Sequence, residues 1–103
     1  MTNFKNSNEL VAETINNIEK EFNSDENSEI VIEDYLFKLQ SFGINKLSDL
    51  QNEALSSTIY WLQESRALRM KSYRKIAKRL FEALSKELSN IDFRTAWEMP
   101  IEA

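Results

Sequence analysis

Seven cations, Arg66, Arg69, Lys71, Arg74, Lys75, Lys78 and Arg79, stand in one stretch with no acid between residues 65 and 81. Guanidinium and ammonium groups in such a run suit one task above others, which is to hold phosphate oxygens or carboxylates. At about 100° per residue, Lys71, Arg74, Lys75, Lys78 and Arg79 share one arc of a helix, opposite its apolar stripe. The sequence therefore predicts a continuous, solvent-facing basic surface that would follow a nucleic-acid backbone with strong salt dependence and little regard for base sequence. The plainer reading is preferred, because the whole chain carries a net charge of -4: a solvated helix face that balances an acidic N-terminal region. A third reading makes the face a docking surface for an acidic protein.

Arg66 and Arg69 project instead on the side that carries Leu62, Tyr73 and Ile76. A charge within an apolar stripe must be paired, must snorkel or must lie at an interface, and here the partner has to come from another helix or another molecule. With Tyr60 and Trp61 one turn earlier, the stretch has the aromatic and arginine content favoured at contact surfaces. Phe93, Trp97, Met99 and Ile101 give the C-terminal segment a similar apolar density. These eight residues are the candidate partner-binding set. For the C-terminal group, folding back to close the protein's own core is the preferred reading over a free docking peptide.

Other chemistry is thinly supported. The 103 residues include neither histidine nor cysteine, which removes thiol nucleophiles, disulfides, thiolate or imidazole metal sites and the usual general base near neutral pH. Carboxylate pairs such as Glu33 with Asp34 or Asp25 with Glu26 have nothing to single them out. The segment from Asp25 to Glu29 is rich in oxygen ligands, but Ile30 stands where a calcium loop needs glycine and Leu36 where it needs glutamate. No phosphate-binding glycine loop or nucleophile elbow is present. The expectation is a protein that is not an enzyme and takes neither cofactor nor small-molecule substrate. The polar opening residues and the lack of a long apolar run predict a cytoplasmic location without membrane contact.

The elements that position these residues are predicted to be all-α, in a single domain spanning 1–103. One glycine and one proline leave few sharp turns. Leu10, Val11, Ile15, Ile18 and Phe22 mark a helix over 8–22, with Asn6, Ser7 or Asn8 as its cap, and residues 23–28 form a loop. Ile32, Tyr35, Leu36, Leu39 and Phe42 mark a second helix over 29–42. In the turn over 43–47, Gly43 suits a left-handed position, with Ile44 folding back on Leu39. Ser48 and Gln51 match a capping box. No conventional stop then follows for about forty residues. Leu55, Thr58, Ile59 and Leu62 share a face with Tyr73, Ile76, Ala77, Leu80, Leu84 and Leu88. One continuous helix over 49–89, about 60 Å long, is favoured over a hairpin bent near Ser65 or Ser72. Asp92 is read as capping a short turn in the tail, 90–103, that sets Phe93 and Trp97 on one side.

The architecture expected is a bundle of three to four helices. Its expected role is contact: a small subunit, assembly factor or inhibitor that binds a protein partner or itself through the long helix and the apolar tail. The alternative is a nucleic-acid-binding subunit working through the basic arc over 71–79.

Overall fold

The computed structural model describes residues 6–24 and 28–98, and it is all-helical: α1 (Ser7–Phe22), α2 (Glu29–Gly43), α3 (Asp49–Leu68), α4 (Lys71–Leu88) and a short 3-10 turn (Ala96–Glu98). Successive helices pack side by side as a four-helix bundle, and α4 closes on α1 through the rings of Phe22 and Phe81, whose centroids are 6.1 Å apart. The core is a single apolar cluster to which every helix contributes, including Ile18, Ile32, Leu36, Leu55, Leu62, Phe81 and Leu84.

Local chemistry explains where α1 and α3 begin. Asn6 Oδ1 accepts the Glu9 amide at 2.9 Å, and Glu9 lies in the first turn, where the helix dipole favours an acid. Ser48 and Gln51 form the expected capping box: the Gln51 amide donates to Ser48 Oγ at 3.1 Å, and the Ser48 amide donates to Gln51 Oε1 at 2.9 Å. Ser28 behaves differently. It precedes α2 but makes no side-chain cap, because its hydroxyl donates to the Glu21 carbonyl at 3.2 Å.

The long helix predicted over 49–89 is instead two helices. Arg69 takes a left-handed conformation (φ 54°), and the amides of Arg69 and Met70 both turn back to the Ser65 carbonyl. The Ser65 hydroxyl donates to the Met70 carbonyl at 3.0 Å. This is a Schellman-type stop built on arginine rather than glycine, and it gives the hairpin held as the alternative, with its bend between the two serines proposed for it. Breaking the helix also rotates the apolar face. Projected as one helix, the sequence places Ile76 and Leu80 in the stripe; in α4 the buried residues are Ala77, Phe81, Leu84 and Leu88, and Ile76 is exposed.

The Schellman motif expected at Gly43 is absent. Gly43 is helical without positive φ, Ile44 continues in right-handed geometry, and Ile44 is exposed rather than folded onto Leu39. Gly43 matters for space: a Cβ there would stand 2.8 Å from Leu47 Cγ and Cδ1. In the tail, Phe93 is buried while Trp97 is 85% exposed, so the two do not share a side; residues 25–27, Met99 and Ile101 lie outside the described residues.

A double-mutant cycle separates the two roles for glycine. Gly43→Ala is expected to lower stability by about 1 kcal/mol, because overpacking against Leu47 outweighs the gain in helix propensity. Placed on a Leu47→Ala background, the same substitution is expected to stabilise by about 0.5 kcal/mol, since only propensity remains. Urea unfolding of the four proteins reads both signs; destabilisation on both backgrounds would return Gly43 to a left-handed role.

Candidate interaction surface

The cations singled out in the sequence divide into two groups once α3 and α4 fold back on each other. Arg66 reaches across to α2, where its Nε and Nη2 donate to the two oxygens of Glu33, each at 3.1 Å. Glu33 is buried, so this two-pronged pair keeps a desolvated carboxylate satisfied and holds the Arg66 pKa above its ordinary value, chiefly through that hydrogen bond. The partner lies on another helix, one of the two places that the sequence leaves open.

Arg74 was expected to face solvent, and its side chain is only 14% exposed. It lies 3.7 Å from Glu29, and its Nη2 donates to the Glu21 carbonyl at 2.6 Å, with the carbonyls of Phe22 and Ser24 and Ser28 Oγ close by. A guanidinium at the C-terminus of α1 takes up carbonyls that the helix itself cannot satisfy and complements its dipole. Lys78 also turns to this end, donating to Asn23 Oδ1 at 2.8 Å. The predicted arc is therefore not one free surface: Lys71, Lys75 and Arg79 remain exposed, while Arg74 and Lys78 hold α1 to α4.

The aromatic residues form a short ladder. Trp61 meets Tyr60 edge-on at 5.4 Å and Tyr73 of α4 at 5.1 Å, so it ties α3 to α4 while Tyr60 stays more than half exposed. Arg69 sits in the exposed turn. Phe93 belongs to the core, which withdraws it from the candidate partner-binding set, and Trp97 stands out from the surface.

The tail is clamped to the start of α1. Asn8 Oδ1 accepts the Phe93 amide at 2.6 Å and Asn8 Nδ2 donates to Asp92 at 3.0 Å. Glu98 accepts from the Ser7 amide and hydroxyl at 3.1 and 2.8 Å, and from Thr95. Donation by Arg94, foremost, and by Asn8 holds Asp92 well below the usual carboxylate range; the Thr95 amide, then Ser7, lower that of Glu98.

The sequence reading missed the outer face of α2. Ile30, Phe37 and Ile44 recur every seven residues along that helix and its C-cap, and they are 59%, 48% and 72% exposed. Val31 lies beside them and is also exposed. The three define a stripe about 21 Å long on the side away from Ile32, Leu36 and Leu39. The signal was present as apolar residues left over after one core face had been assigned. Among the described residues, no group of acids, cysteines or histidines could hold a metal ion, and no helix is long and apolar enough to cross a membrane. In comparison with known proteins, no family model, curated protein or solved structure matches this chain.

The division of the cations is open to measurement. Arg74→Ala is expected to cost about 2 kcal/mol in urea unfolding, because it strips the end of α1 of a charged donor and Glu29 of its partner. Lys75→Ala and Arg79→Ala are expected to stay within about 0.5 kcal/mol of the parent. Acid should act on the clamp: since the folded-state pKa of Glu98 is depressed, its contribution is present above the ordinary glutamate value near 4.3 and is lost as pH falls through the lower folded value. The Ser7 and Thr95 amide resonances should shift with a midpoint below the ordinary glutamate value, and the shift should vanish in Glu98→Gln.

Proposed function

We propose that the protein is a non-enzymatic contact protein, a small subunit, assembly factor or inhibitor, that works by docking a protein surface. The long helix once expected to carry this role is a hairpin, so the reading now rests on α2. One observation carries it: α2 is apolar on its outer side as well as its core side, and it presents Ile30, Val31, Phe37 and Ile44 to solvent. A surface helix with only a core to serve shows one apolar stripe. A second, outward stripe supports an interface, and Tyr60 and Trp97 add exposed aromatic anchors of the type that dominates binding energy. The proposal includes the cytoplasmic address expected from the sequence.

The alternative, a nucleic-acid-binding subunit, rests on Lys71, Lys75 and Arg79 as the exposed cations of the former arc. Three phosphate contacts give a shallow salt dependence and weak affinity.

Co-purification of the tagged full chain from cells that express it discriminates the two. Wild type and a Lys75→Glu/Arg79→Glu variant are expected to retain the same protein partner. Phe37→Glu is expected to lose it while unfolding within about 2 °C of wild type, as a half-exposed position predicts. Retention that instead depends on Lys75 and Arg79 and disappears with nuclease treatment would transfer the function to nucleic acid.

A further inference from the structure

The outward stripe of α2 has a charge pattern that specifies its occupant. Asp34 and Lys38 lie one turn apart on the same flank of the Ile30–Phe37–Ile44 line. Both are exposed, and neither takes part in the ion pairs that Glu33 and Glu29 make with Arg66 and Arg74. One flank of the stripe thus carries an acid nearer the N-terminal end and a base nearer the C-terminal end.

We infer that this face pairs with the same face of a second copy of the chain, antiparallel, about a two-fold axis that passes through Phe37. This rests on the contact reading above and names the partner. A two-fold axis perpendicular to the helices keeps each flank on its own side of the interface, so Asp34 of one copy faces Lys38 of the other, and the pair is made twice. With the axis at Phe37 their axial offset is about 3 Å, within reach of a lysine side chain. A parallel pair would put Asp34 and Lys38 on opposite flanks and leave both unmatched. Ile30 and Ile44 stand seven residues either side of Phe37, so the antiparallel arrangement sets Ile30 of each copy against Ile44 of the other and Phe37 against itself. The oppositely directed helix dipoles also favour it.

Sedimentation equilibrium of the purified full chain, over about 5 to 500 μM and at low salt, tests the pairing. A reversible species of twice 12.1 kDa is expected. Asp34→Lys and Lys38→Asp should each raise the dissociation constant about tenfold, as two symmetry-related surface pairs turn from attraction to repulsion. The double reversal Asp34→Lys/Lys38→Asp should restore it to within about twofold, because complementarity is rebuilt. Phe37→Glu should leave a folded monomer, with helix content checked by circular dichroism. A wild type that stays monomeric throughout, or a double reversal no tighter than the single ones, overturns the inference. If the chain is monomeric and Phe37→Glu still loses a different protein in co-purification, self-pairing is wrong and the contact reading stands.

Discussion

The fold depends on one turn. Ser65 offers its carbonyl to two amides and its hydroxyl to the Met70 carbonyl, and Arg69 crosses into left-handed space to close the loop. For an arginine that conformation costs about 1 kcal/mol relative to a right-handed one. The cost is offset by what the reversal allows. Trp61 meets Tyr73, Phe81 reaches Phe22, and α4 covers the faces of α1 and α3 that a straight helix would leave in water. Burial of a single large apolar side chain is worth roughly 1.5–3 kcal/mol, so a few such contacts outweigh the strained residue.

Because α4 returns, its cations become structural. Arg74 arrives at the C-terminus of α1 and at the uncapped start of α2, where it serves carbonyls of one helix and Glu29 of the other. The same junction explains why Ser28 does not cap α2: its hydroxyl donates to Glu21 and stands 3.2 Å from Arg74 Nη2. Arg66 plays the matching part between α3 and α2 by satisfying the buried Glu33. Removing either arginine would leave a largely buried carboxylate without its counter-charge, so each pair ties its two helices together. The closing tail follows from the same geometry, since α4 ends near the start of α1, where Asn8 and Ser7 receive residues 92–98.

What the sequence revealed were features decided within one or two turns. The Ser48–Gln51 box and the Asn6 cap come from side chains bonding to adjacent backbone, and the periodicity of Val11, Ile18 and Phe22 names a face directly. The helix break was hidden because no local residue dictates it: residues 63–72 favour helix, and only packing between α3 and α4 makes a left-handed arginine acceptable. That break shifted the helical phase, which is why Phe81 was absent from the predicted stripe and why Arg74 was assigned to solvent. Gly43 misled for a related reason. Glycine signals both left-handed backbone and close approach, and Leu47, four residues on, decides for the second.

The candidate surface was missed on other grounds. Helical periodicity gives one face of α2 to the core and leaves its other apolar residues without a role, yet Ile30, Phe37 and Ile44 keep a seven-residue spacing. Folding of the single chain gains little from that spacing. Ile32, Leu36 and Leu39 already bury α2 against the core, and polar helix formers at the outer positions would hold the helix equally well while improving solubility. Exposed apolar side chains in register along 21 Å, flanked by an acid and a base in complementary order, are the features on which the proposed contact rests. The bridging cations and the outer stripe divide the labour: charge that looked available for a ligand ties helix to helix, and the apolar surface that looked incidental is what the bundle presents.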